Sequence, residues 1–153
     1  MATDPQTSWT DRDFDRLSWH DNHVHGLSVS EGQYGSGELA LDLDFILEWT
    51  KCDSGHVQFR IAPATLTFHE VTNLKLALDY LSVSASMCPF SIAGIERRLE
   101  TRDRYTATQW TIAVNWPRGE ISFEATGFSQ VLRASPILKD QQSLTRTQRQ
   151  NDA

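Results

Sequence analysis

The chain has only two cysteines in 153 residues, Cys52 and Cys88, and neither sits in a CxxC or Cys/His spacing. A zinc ribbon and a thioredoxin-like redox centre therefore have no support, and both residues are expected to be reduced thiols. Also missing is any basic cluster: formal charge is −6 with histidines neutral. Displacing counterions from a phosphate backbone takes concentrated lysine and arginine, so neither nucleic acid nor an anionic membrane is an expected partner. No apolar run approaches the roughly 20 residues that a spanning helix needs. The start, MATDPQTSWTDRD, has no basic n-region or apolar h-region, so a cytoplasmic address is expected. Nucleophile elbow, P-loop, GxGxxG and HExxH patterns are all missing. Gly32, Gly35 and Gly37 lack the following helix start that phosphate cradling requires, and read as a hairpin loop. No cofactor is expected.

What is present is enough apolar material to fold. A composition of 39% hydrophobic and 22% charged residues is globular, and the length suits one domain. Residues 1–8 are small and polar and read as a flexible N-terminus. Residues 9–138 read as a single β-rich domain. Residues 139–153, KDQQSLTRTQRQNDA, hold one apolar residue, Leu144, and read as a polar tail, disordered or a frayed helix. Ser135-Pro136 has the form of a capped helix start.

The domain alternates with a period of two. In ELALDLDFILEW, Leu39, Leu41, Leu43, Phe45, Leu47 and Trp49 take one set of positions, while Ala40, Asp42, Asp44, Ile46 and Glu48 take the other. Successive side chains of a strand point to opposite faces, so one face is apolar and the other mainly acidic and solvated. HVQFRIA, NLKLALDY, QWTIAVNW and GEISFEATG alternate in the same way. Asp53-Ser54-Gly55 and Pro117-Arg118-Gly119 read as hairpin turns. Further strands are expected at His23 to Ser30, Ala64 to Phe68 and Ser91 to Glu100, with a short helix over Thr10 to Leu17 capped by Thr10. The fold class is all-β or β-dominated: a single-domain antiparallel sandwich or barrel with at most a short N- or C-terminal helix. Trp49, Trp110 and Trp116 are expected in the core, with Trp9 and Trp19 over a barrel end. Arg97, Arg98, Arg102 and Arg104, interspersed with acids, read as a solvated edge that discourages aggregation.

The chemistry-bearing stretch is WHDNHVHG, Trp19 to Gly26. On a strand beginning near Asp21, the side chains of Asp21, His23 and His25 share a face. If a hairpin through EGQYGSG pairs this strand with the next, Asp42 and Asp44 face them. These five residues are the candidate binding site. Imidazole and carboxylate are transition-metal ligands, yet the spacing matches no metal motif, and a plain polar sheet face is the competing reading. Asp42, Asp44 and Glu48 are close enough along one strand for paired-carboxylate hydrolysis, but nothing in the sequence shows the cleft that would raise one pKa.

WHDNHVHG followed by LALDLDFILEW resembles small bacterial proteins with a tryptophan-histidine-aspartate start and an LxLDxDFIxxW strand. Some of these resemble the immunity proteins of bacterial toxin systems. The resemblance covers residues 14 to 68 and implies a β-rich fold with no transferable catalytic residues. The expected function is a soluble protein-binding domain with a basic protein as partner, toxin neutralisation being one specific form. The alternatives are an enzyme or metal-binding protein using the His/Asp cluster, and a small carrier of apolar ligands.

Overall fold

The structure, a computed structural model, describes residues 5–81 and 86–150. Its described residues form one antiparallel sheet of nine strands: β1 (Ser8–Thr10), β2 (His23–Glu31), β3 (Gly37–Lys51), β4 (Val57–Leu78), β5 (Phe90–Thr101), β6 (Thr106–Trp116), β7 (Gly119–Glu124), β8 (Gly127–Leu132) and β9 (Ile137–Lys139). The fold is β-dominated, as the alternation predicts. The expected hairpins at 53–55 and 117–119 join β3 to β4 and β6 to β7. The segments 56–62, 64–68 and 73–80, read from sequence as separate strands, are largely one 22-residue strand, β4.

That length is what bends the sheet round. Along one edge, β4 pairs with β3; along the other it meets β9, β8 and β7 in turn. With β3 on β2, β2 on β5, β5 on β6 and β6 on β7, the pairing returns to β4 as a ring. The narrowest link is β2 to β5, where only His23 and Val24 face Ser91 and Phe90, supplemented by main-chain bonds from Asp21 to Ile92 and from Ile92 to Asn22. Closure at this link is partial: beyond it, Gly26–Glu31 of β2 pairs only with β3 and Gly94–Thr101 of β5 only with β6.

The interior holds the apolar set of each strand. Leu39, Leu41 and Leu43 meet Leu66, Phe68, Trp110, Ile112, Ile121, Phe123 and Phe128, all essentially without solvent exposure. The rings pack edge to face: Phe68 lies 4.7 Å from Phe123 and 5.2 Å from Trp110. The ring is thus filled with side chains, each aromatic removing on the order of 150–250 Å² from water. The segment before β2 closes one side. Thr10 accepts the Arg12 amide, while Asp13 accepts the Thr10 amide at 2.9 Å, a capping box that starts a 3-10 helix over Asp11–Arg16. From it Phe14 reaches Trp19, Trp110 and Phe128. Trp19 is buried and donates its indole N–H to Gln130.

Three tryptophans expected inside divide. Trp110 is core, but Trp49 is 52% and Trp116 47% exposed. A bulge at Leu47 shifts the β3–β4 register between Ile46 and Glu48, turning Trp49 onto the outer face against Phe59, 4.9 Å away. Trp116 lies beyond the last β6–β7 pair, Val114 with Gly119. Arg102 also departs from the solvated-edge expectation, binding the nearly buried Glu124, which Asn73 holds from the other side at 2.7 Å.

The C-terminal segment differs most. Ser135-Pro136 opens no helix; β9 follows and pairs with β4 at residues 59–61. The chain then crosses the outer face of β3 and β4 and ends in a single helical turn, α1 (Arg146–Gln150). The only apolar residue of the tail is its anchor: Leu144 is 4% exposed and completes a second core with Ile46, Phe59 and Ile61. Residues 1–4 and 151–153, within the expected flexible N-terminus and polar tail, lie outside the described residues. Among the described residues no helix is long and apolar enough to cross a membrane. Leu144→Ala is expected to cost about 2–3 kcal/mol in urea unfolding, the lower part of the range for buried leucine because a small cluster at the surface relaxes. A loss under about 0.5 kcal/mol would mean that the segment is not packed there.

Candidate functional site

The hairpin expected between the histidine stretch and the acidic strand forms. Its register sets His23 opposite Asp44 and Gly26 opposite Asp42. His25 falls between these pairs, at a register shift from Val24 to Gly26. A bulged residue is re-aimed relative to the ladder, and here the imidazole reaches a carboxylate on the adjacent strand diagonally, across from His23. His25 Nε2 lies 2.7 Å from Asp44 Oδ2.

The acidic face of β3 is not simply solvated, because the C-terminal segment covers it. Asp44 has no solvent exposure. Its carboxylate accepts from His25, from the Leu144 amide at 2.8 Å and from the Arg149 guanidinium. The same guanidinium reaches across to Asp42, which Arg133 also contacts. Arg149 therefore bridges two aspartates spaced i, i+2 on one strand face, a fit that a planar fork of N–H donors can make and an ammonium cannot. Removing an unpaired carboxylate from water is prohibitively costly, so this coverage and these donors are one arrangement.

Charge balance fixes the protonation of His25. Asp42 and Asp44 are matched by Arg133 and Arg149, so a proton on His25 would add an uncompensated positive charge to a side chain only 23% exposed. Burial, reinforced by Arg149 and Arg133 and opposed by Asp42, pushes the imidazole down to about 4. Neutral His25, with its proton on Nε2, donates to Asp44. Burial likewise lowers His23, with His25 adding to the effect and the main chains of Gln142 and Asp21 pulling the other way.

Of the five residues singled out from sequence, His25, Asp42 and Asp44 are thus bonded together, His23 lies directly across the ladder from Asp44, and Asp21 stands apart. Asp21 accepts from Gln142 at 3.1 Å and from Asn115 at 3.2 Å. Among the described residues no three His, Cys, Asp or Glu side chains form a group that could hold a metal ion. Glu48 is not with its two neighbours in the strand: the bulge sends it to Arg60, at 3.3 Å. Sequence reading missed both arginines and the strap that carries one of them. The lone leucine in a polar tail was the available signal.

A second polar row crosses the outer face of β3, β4 and β8. Glu38 lies 3.3 Å from His69 Nδ1, and His69 Nε2 lies 2.9 Å from Ser129 Oγ. The order is that of a hydrolase triad, but Ser129 sits within a strand paired to both β1 and β4, not on a strained elbow with amides free to cradle an oxyanion. The row orients Glu38. Compared with protein-family models, curated proteins and solved structures, the chain matches none.

Two outcomes test this site. Asp44→Asn is expected to cost about 3 kcal/mol of unfolding free energy, since it strips the charge partner from a buried guanidinium, against about 1 kcal/mol for the part-exposed Asp42→Asn. Equal, small losses would contradict the burial of Asp44. His25, depressed in the folded state, takes up its proton first in the unfolded chain, so its contribution is complete above about pH 6.5 and is lost as pH falls toward 4. After allowance for solvent screening, that is on the order of 1–2 kcal/mol, and His25→Gln should flatten this part of the stability–pH curve.

Proposed function

We propose that the protein is a binding domain for a basic protein partner, and that the partner is gripped at the tip of the β2–β3 hairpin. While the strap is closed, Asp42 and Asp44 are neutralised internally by Arg133 and Arg149 and offer little to an outside ligand. The hairpin tip has the opposite character.

The observation that carries this reading is a cleft of about 720 Å³ at the tip, lined by Tyr34, Glu38, His69 and Glu70 among others and by no lysine or arginine. Tyr34 is fully exposed. The loop holding it is tied down: the Gly32 amide donates to Ser36 O at 2.8 Å and the Ser36 hydroxyl to Gln33 O at 2.7 Å. Gly35 supplies a φ of +79°, and at Gly37 a Cβ would lie 2.5 Å from Ser30 O. An exposed tyrosine on a bonded turn beside Glu70 and the His69-paired Glu38 has the composition of an interface hot spot, and it suits an arginine or lysine, which can lie on the ring while pairing with either carboxylate. Glu31 and Val29 line the adjoining hollow and extend the surface.

The excess of acid steers encounter with a positive partner. The resemblance of residues 14 to 68 to small bacterial proteins, some of them immunity-like, supports a toxin as that partner. Co-purification from the native host should retain a basic protein at roughly 50 mM salt and release it at several hundred millimolar, where the Debye length is short. Tyr34→Ala combined with Glu38→Gln should weaken that complex by about 30-fold or more while leaving the thermal unfolding midpoint nearly unchanged. No partner retained at low or moderate salt, or equal retention by the variant, would refute the proposal.

A further inference from the structure

We propose that the recess formed by Asp42, Asp44 and His25 is a guanidinium-recognition site, which the chain fills in cis with Arg149 and which an arginine on a protein partner fills in its place. The site shares no residue with the Tyr34 cleft and stands or falls separately.

The geometry is built for this group. Asp44, without solvent exposure, and Asp42, part exposed, present one oxygen each to the two terminal nitrogens of a single guanidinium. Arg133 donates to the same Oδ1 of Asp42, and His25 bonds Oδ2 of Asp44, so each carboxylate keeps a second partner that does not depend on Arg149. Withdrawal of Arg149 leaves two carboxylates against one guanidinium, a deficit of one positive charge in a recess lined by protein. Any cation would answer the charge, but only a planar fork answers both oxygens at once.

The occupant is held by the least secure part of the fold. β9 is three residues long and α1 five, too short for a helix to persist without tertiary support. One buried side chain, Leu144, anchors the crossing. Such a segment opens locally at far lower free energy than the ring beneath it. When it lifts, it uncovers two features together: the two carboxylates, including the Asp44 Oδ2 that had accepted the Leu144 amide, and the apolar hollow of Ile46, Phe59 and Ile61. A partner segment with an apolar side chain followed five residues later by arginine reproduces the pattern of Leu144 and Arg149.

The test uses the full chain carrying Arg149→Ala, with Arg149→Lys as the same comparison if the alanine form does not fold. Methylguanidinium at about 50 mM should raise the Tm of the variant by about 3 °C or more, where methylammonium at equal ionic strength does not, and should leave the wild-type Tm unmoved relative to methylammonium. A peptide of the strap sequence, SLTRTQRQ, should bind the variant at least about tenfold more tightly than it binds the wild type, whose own strap competes. Replacing the peptide's second arginine by lysine should remove that binding. Equal effects of the two small cations on the folded variant, equal peptide binding to both chains, or equal binding of the lysine peptide would each overturn the proposal.

Discussion

A carboxylate with no exposure to water is tolerated only where donors surround it, and Asp44 is where the chain meets that demand. It faces outward from a strand whose other side is already packed into the core, so protein has to be brought to it from elsewhere. The bulge at His25 brings an imidazole, and the C-terminal strap brings an amide and a guanidinium. Each is useful only with the others. Without the strap the carboxylate would be wet, and without the carboxylate a short polar segment with one leucine would have little reason to stay.

The ring of strands supplies the rigid floor for this. β4 is long enough to take four partners on two edges, which holds β3 in unbroken register from Leu39 to Ile46 and so fixes the spacing of Asp42 and Asp44. The interior behind them is tightly filled by Leu41, Leu43, Leu66 and the aromatic cluster, leaving the aspartates no inward relief. The same floor projects the β2–β3 hairpin, whose bonded tip presents Tyr34 to solvent. One hairpin thus carries acids bridged by arginine near its base and, near its turn, the exposed Tyr34 beside Glu38 and Glu70 that we propose for recognition.

Much of the architecture was legible because alternation is a local property. Leu39, Leu41 and Leu43 announce an inward face on their own, and Pro117 and Gly119 announce a reversal without knowledge of what they join. Polar side chains on the other face are ambiguous by nature. Asp42 and Asp44 read as solvated because that is what an outer face normally is, and only the distant Leu144, Arg133 and Arg149 make it otherwise. Trp49 shows the same limit in miniature, since a one-residue bulge reverses every later side chain and leaves no composition signature. The grouping of His23 and His25 with Asp42 and Asp44 followed from hairpin register and was within reach; Asp21 was placed with them by counting alternate positions through a turn that does not keep the count, its φ being +63°.

Everything here depends on the strap lying closed over Asp44, and the Leu144 amide reports that directly. Hydrogen exchange followed at this residue should show protection of about a hundredfold or more over a free peptide, because its N–H is donated to a buried carboxylate. Exchange at the free-peptide rate, in a chain whose β3 and β4 amides remain protected, would show that Asp44 is not sealed and would contradict the account.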